Sequence, residues 1–279
     1  MKRLSLLCWL VSFPWLGFGA DITIGTTRLT IPAPEGFALI SDDVQPYSDI
    51  SKRFVPPSNE QFAQFLSEAD AAAARRGEIP VAERRFYVQT VRQLITPVVS
   101  SSDFAELKRE LKAQNETLMK KVESQMPGFM DKVNKGISKD YDVDLKLALN
   151  QMVPLAPHSE TERSLAYSMF LKGSGTDAQG NPTEFEAVVT ATFVHVRGKI
   201  LFLYANAEKS ALEWSKAASQ KWADSVIAAN PSTGKTTAQE KAGRRAGFDW
   251  NRVLVMTIIG AVIGGLIGGI SSLFRKKKA

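Results

Sequence analysis

The sequence predicts an α+β domain, an antiparallel sheet packed with a long middle helix and a C-terminal helix, followed by one C-terminal transmembrane helix. Three patterns predict it. Segments of alternating apolar character lie on both sides of one long stretch with helical spacing, and an unbroken apolar run stands near the C-terminus. The chain divides accordingly into a signal peptide over 1–19, an extracytoplasmic domain over 20–230, a flexible basic linker over 231–251, a transmembrane helix over 252–274 and a cationic cytoplasmic tail over 275–279.

Lys2 and Arg3 open the chain, Leu4 to Phe18 are apolar, and Gly17 and Gly19 place small residues at the −3 and −1 positions of a cleavage site after Gly19. An uncleaved anchor is the alternative, but this run of 15 residues is interrupted by Pro14 and falls short of the roughly 20 needed to cross a bilayer. The single cysteine, Cys8, lies inside it. A processed chain therefore contains no thiol, which excludes disulfides, thiol catalysis and cysteine-ligated metals.

Asp21 to Ile31, DITIGTTRLTI, reads as a strand or hairpin, and Pro32, Pro34 and Gly36 punctuate it. Residues 59–74 fit either a helix or a short strand, and a mixture is expected. Arg84 to Val99 is rich in β-branched and aromatic residues and reads as a strand ending near Pro97. Asp103-Phe104-Ala105-Glu106 has the spacing of a capping box, and Phe104, Leu107, Leu111, Leu118 and Val122 follow at helical intervals. This long amphipathic helix should break at Pro127-Gly128. Val143 to Val153, Ser164 to Leu171 and Glu184 to Tyr204 then alternate as strands, the last split into a hairpin at Arg197-Gly198-Lys199. Lys209 to Ala229 carries Leu212, Trp214, Ala218, Trp222 and Ile227, a bulky stripe suited to packing on that sheet.

Val253 to Phe274 are 22 consecutive uncharged residues, about 33 Å of helix at the standard rise, which matches a hydrocarbon core of roughly 30 Å. Trp250 and Arg252 precede the run, and Arg275, Lys276, Lys277 and Lys278 follow it as a stop. Cations are equally numerous on both sides, so the signal peptide decides the expected orientation, with the domain outside and the tail in the cytoplasm. Gly260, Gly264 and Gly268 recur every four residues, with Gly265 and Gly269 as an offset pair. This is the small-residue face through which membrane helices self-associate or pair with a partner.

Charge bears on partners. The whole chain is +6, but residues 20–230 hold 24 Lys and Arg against 27 Asp and Glu, so the domain itself is mildly acidic. It lacks the basic stripe that nucleic-acid binding needs. Gly234-Lys235-Thr236 imitates the end of a phosphate-binding loop, yet Ala229 stands where its first glycine belongs and the segment follows a helix, so nucleotide binding is not expected. His158 with Glu160 and Glu162 sits in a proline-rich loop without a second nearby histidine, and His195 fits a half-exposed strand position. Asp42-Asp43 reads as a solvated acidic pair. No nucleophile elbow or zinc-protease spacing is present, so the sequence names no catalytic, cofactor-binding or metal-binding residue.

A strand ending IPAPEGF, the passage ERRFYVQTVRQL then SSDFAELKREL, and GKILFLY before the two tryptophans of the last domain helix resemble the PsbP and Ran-binding Mog group of α/β/α sandwiches. The resemblance covers residues 27–230 by general pattern and implies a binding or assembly module; no functional residue of that group maps onto a position here. The expectation is therefore a membrane-tethered extracytoplasmic binding or assembly module in the plasma membrane, with the lipid bilayer and either a second copy or a membrane protein as partners. A membrane-anchored periplasmic hydrolase with a site assembled from distant residues is the alternative.

Overall fold

A computed structural model describes residues 19–113, 115–141, 146–176, 181–231 and 247–273, with backbone alone at 115–116, 141 and 267–273. Ala20–Ile24 (β1) and Thr27–Ile31 (β2) form an antiparallel hairpin of their own. The main sheet is antiparallel and eight-stranded. It contains Phe37–Leu39 (β3), Asn59–Ser67 (β4), Arg85–Val91 (β5), Ala148–Pro154 (β6), Ser159–Glu160 (β7), Ser164–Thr176 (β8), Pro182–Val196 (β9) and Lys199–Glu208 (β10). Its order is β3-β4-β5-β10-β9-β8-β6, with β7 added beside β8. β9 and β10 meet at the expected turn, where Arg197 (φ 49°) and Gly198 (φ 73°) both take the left-handed backbone of a tight two-residue hairpin.

Among the described residues six α-helices surround the sheet: Tyr47–Arg53 (α1), Glu68–Arg75 (α2), Ser101–Ala113 (α3), Asn115–Tyr141 (α4), Leu212–Ala229 (α5) and Trp250–Leu273 (α6). α5 and the β1–β2 hairpin cover one face, where Trp222, Ala223 and Val226 pack on Phe65, Phe86, Val88 and Leu203. On the other face α6 lies against the sheet, with α3 and α4 packed outside it, so that Val253, Leu254, Ile258 and Val262 join Phe104, Leu107, Val122 and Met126 in one core. The layers run α5, sheet, α6, then α3 with α4.

The expected transmembrane helix is therefore a correction. Among the described residues, whose side chains in α6 extend to Leu266, no helix is long and apolar enough to cross a membrane. A helix apolar all round is the common pattern of a membrane span and of a helix enclosed within a protein core; this one is enclosed between the sheet and α3–α4. From Trp250 to Leu266 only Arg252 is exposed. The glycines serve that enclosure. A methyl group added at Gly260 would stand 2.6 Å from Asn59 Nδ2 and 2.7 Å from Gln89 Oε1, one at Gly265 would stand 2.6 Å from Val189 Cγ2, and one at Gly264 would run into the Tyr87 hydroxyl. They admit strand side chains to the helix backbone, and polar contacts complete the seat. Tyr204 Oη donates to Thr257 O (2.9 Å), Asn59 Nδ2 to Met256 O (3.2 Å), and Tyr87 Oη lies 3.3 Å from the carbonyls of both Gly260 and Ala261.

One local expectation also changes. Pro127-Gly128 does not end the middle helix: α4 passes through Pro127 and continues to Tyr141. A proline costs a helix one backbone donor and some crowding, and here the burial of Met126, Met130, Val133 and Ile137 on the turns either side of it opposes that cost. Residues 59–75 divide into β4 and then α2, the mixture expected; Ser67 caps α2 by accepting from the Asp70 N–H at 3.1 Å.

Candidate functional site

The candidate site is a groove of about 840 Å³ between the Pro32–Phe37 loop and α5, on the sheet face opposite α6. β2 ends at Ile31, and Pro32 and Pro34 hold the following loop extended along the helix. The Trp222 indole N–H donates to Pro32 O at 2.8 Å and pins one wall to the other. Side chains spaced along α5 bring Trp214 and Trp222 to the groove, and alternation along β5 brings Phe86 between them.

Aromatic rings form the floor. Phe37 meets Phe86 edge-on at 4.7 Å between centroids, and Phe86 lies 5.8 Å from Trp214 and 5.1 Å from Trp222. Trp222 and Phe86 are buried, whereas Phe37 and Trp214 are half-buried and present ring surface to the groove. The Arg84 guanidinium sits 4.6 Å from the Trp214 ring centroid, and Glu208 fixes it there with a 2.6 Å bond to Nη2. That pairing raises Arg84 further above its ordinary range and lowers the Glu208 carboxyl. At the opposite rim Lys221 pairs with Glu35, which lowers the Glu35 carboxyl through the hydrogen bond. The groove is thus a rigid, mainly aromatic surface between two fixed ion pairs. Among the described residues the Trp214 indole N–H makes no hydrogen bond.

The residues singled out in the sequence fall elsewhere. Gly260, Gly264 and Gly265 face the sheet, not a partner helix. Gly268 and Gly269 continue α6, but their surroundings lie outside the described residues, as do Arg275, Lys276, Lys277 and Lys278. Gly234, Lys235 and Thr236 also lie outside them. His195 is buried, not half-exposed: its Nε2 is 2.8 Å from Val99 O and its ring stacks on Phe104. His158 is exposed, and Glu160 turns away from it to bond Lys112 and Lys108. Among the described residues no group of three or more His, Cys, Asp or Glu is placed to hold a metal. Asp42 pairs with Lys52 at 3.2 Å, and Asp43 accepts from the Ser41 hydroxyl.

No protein-family model and no curated protein matches the chain. Among solved structures it is weakly similar to cyanobacterial PsbP (CyanoP) from Synechocystis sp. PCC 6803, at 12% identity and a TM-score of 0.30 over 78% of this chain and 94% of that one. It is also weakly similar to the Saccharomyces cerevisiae Ran-binding protein Mog1p, at 9% identity and a TM-score of 0.24 over 76% and 92%. These are the two groups whose pattern the sequence resembles.

Proposed function

We propose that this protein is an exported binding module whose groove between the Pro32–Phe37 loop and α5 receives an extended, proline- and aliphatic-rich segment of a partner protein. The observation that carries the reading is the half-buried pair Phe37 and Trp214 beside an indole N–H with no acceptor among the described residues. An extended polyproline-type segment has no internal hydrogen bonds, so its carbonyls are free to accept from such a donor while its prolines lie on aromatic rings. Because the groove walls are already fixed by the Trp222–Pro32 bond and the Arg84–Glu208 pair, little ordering cost attaches to the protein side. Export is supported by Lys2 and Arg3 ahead of an apolar run, and β1 begins at Ala20, the residue that cleavage after Gly19 would place first.

The test is fluorescence titration of the full chain with synthetic ten-residue peptides carrying two prolines three residues apart among Leu and Val, against a Gly/Ser peptide of equal length. The expected result is saturable binding of the proline peptides that Trp214→Ala abolishes and Trp214→Phe, lacking the N–H, weakens. Equal binding of the Gly/Ser peptide, or binding unchanged by Trp214→Ala, would overturn the assignment.

A further inference from the structure

β6 ends the main sheet beyond β8, so among the described residues one of its edges has no strand beside it. Leu155 N–H donates to Ser168 O at 2.8 Å, and alternation from that bond turns the peptide groups of Val153 toward β8 and those of Met152 outward. The bulge between Leu149 and Gln151 shifts the alternation by one residue, which turns Leu149 and Leu147 outward as well. Asn134 of α4 shows what this edge accepts. Its Nδ2 donates to Leu147 O at 2.9 Å and its Oδ1 accepts from Leu147 N–H at 3.0 Å, the two bonds that a residue of an adjoining strand would make. Past Leu147 the edge is open: among the described residues nothing bonds the outward groups of Leu149 and Met152. Pro154, which has no N–H, closes the open stretch at its far end.

A groove of about 580 Å³ runs beside that stretch, between β6 and α4. Met126, Met130 and Asn134 form one row of α4 and pack toward Leu147, Leu149 and Met152. Glu123, Pro127 and Asp131, also four residues apart, form the outer row. Pro127 cannot donate to the Glu123 carbonyl one turn earlier, so this row offers a main-chain acceptor beside its two carboxylates. Lys135 engages Asp131 at 2.8 Å, whereas Glu123 makes no ion pair among the described residues. No Lys or Arg is among the described residues that line the groove.

We propose that the β6 edge and this groove bind an extended segment of a partner protein as an added strand, with alternate aliphatic side chains on the methionines and a lysine or arginine reaching Glu123. Main-chain bonds to Leu149 and Met152 supply affinity, and the side-chain groove supplies selectivity. Methionine adapts to aliphatic groups of differing shape. A second copy of this chain fits less well, because isologous pairing of two β6 edges brings the same acidic row of each copy to one interface. The site lies on the α4 side of the sheet, away from Trp214, so it stands or falls independently of the aromatic groove.

Anisotropy titration of the full chain with a labelled eight-residue peptide of alternating Leu and Thr, carrying one terminal Lys, tests it. Saturable binding is expected. It should weaken about fivefold when the peptide Lys becomes Glu, and about twofold or more in Glu123→Gln, an exposed position whose change leaves the core intact. Of two peptides methylated on alternate backbone nitrogens, one should lose binding, because an added strand donates from every second residue. Hydrogen exchange should slow at Leu149 and Met152 in the complex, and Trp214→Ala should leave binding unchanged. Equal binding of the Glu peptide, binding retained by both methylated peptides, loss of binding in Trp214→Ala, or a dimer whose β6 amides are already protected would overturn the assignment.

Discussion

Replacing Gly264 with alanine tests the enclosure of α6 directly. Its new methyl group would come within 2.9 Å of Tyr87 Cε1 and closer still to Cζ and the hydroxyl, whereas real methyl carbons seldom come nearer than 3.4 Å. Tyr87 has no room to swing aside. It is 3% exposed, stacks on Tyr204 at 4.7 Å between centroids, and holds its hydroxyl against the carbonyls of Gly260 and Ala261. Either α6 lifts from the sheet or Tyr87 leaves its rotamer, at about 1–3 kcal/mol for overpacking. Loss of the Tyr87 hydroxyl contact adds about 1 kcal/mol, and the better helix propensity of alanine returns about 1 kcal/mol. The net expectation is destabilisation by about 1–3 kcal/mol, a fall in Tm of roughly 2–12 °C for a domain of this size. Gly128→Ala is the control, because a methyl group there meets nothing within 4 Å and the position is exposed on α4; it should gain about 1 kcal/mol from propensity alone. Thermal melts of the two full-length variants decide the matter. If Gly264→Ala melts at or above the unaltered protein, α6 does not sit on Tyr87 as described and the packing argument fails.

Asn230→Ala should be costly despite its place at the end of α5. Asn230 Nδ2 donates to Thr30 O at 2.7 Å and to Val226 O at 2.8 Å, while its Oδ1 accepts from the Thr30 N–H at 3.0 Å; losing these buried partners costs about 1–3 kcal/mol, read as a lower urea midpoint at unchanged slope. Glu160 governs a pH dependence. Hydrogen bonds from Lys112 and Lys108 lower its carboxyl below the ordinary 4.5, so the folded state releases that proton more readily than the unfolded one. Its contribution is complete above about pH 4.5 and is lost as the pH falls through the lowered folded value. Glu160→Gln should therefore flatten stability against pH below 4.5 and leave it unchanged in slope near neutrality, as measured by melts in graded buffers.

Much of the architecture was legible because it is written in local patterns. The Arg197-Gly198 hairpin, the alternation along β8 to β10 and the stripe of α5 each follow from backbone geometry at short range. What escaped depends on distant partners. Pro127 reads as a helix break until the packing of Met126 and Met130 is known, and His195 reads as half-exposed until α3 places Phe104 over it. The misreading of α6 has the same origin: hydropathy records that a helix avoids water, not whether lipid or protein surrounds it. Of the candidate groove, the sequence placed Trp214 and Trp222 on one helix and marked the Pro32–Gly36 segment as punctuation, but only the fold sets them opposite each other.

The position of α6 in the chain also orders the assembly of the protein in time. Every strand of the sheet precedes Trp250 in sequence, so a growing chain emerging at about 5–20 residues per second completes its sheet before the covering helix exists. During that interval Tyr204, Phe202, Val189 and Leu171, all in the core that α6 completes, form an open apolar surface of the kind that recruits chaperones or aggregates. The face of the sheet that α6 covers is thus the last part of this core to be closed, and it stays open for as long as α6 takes to be made and to dock.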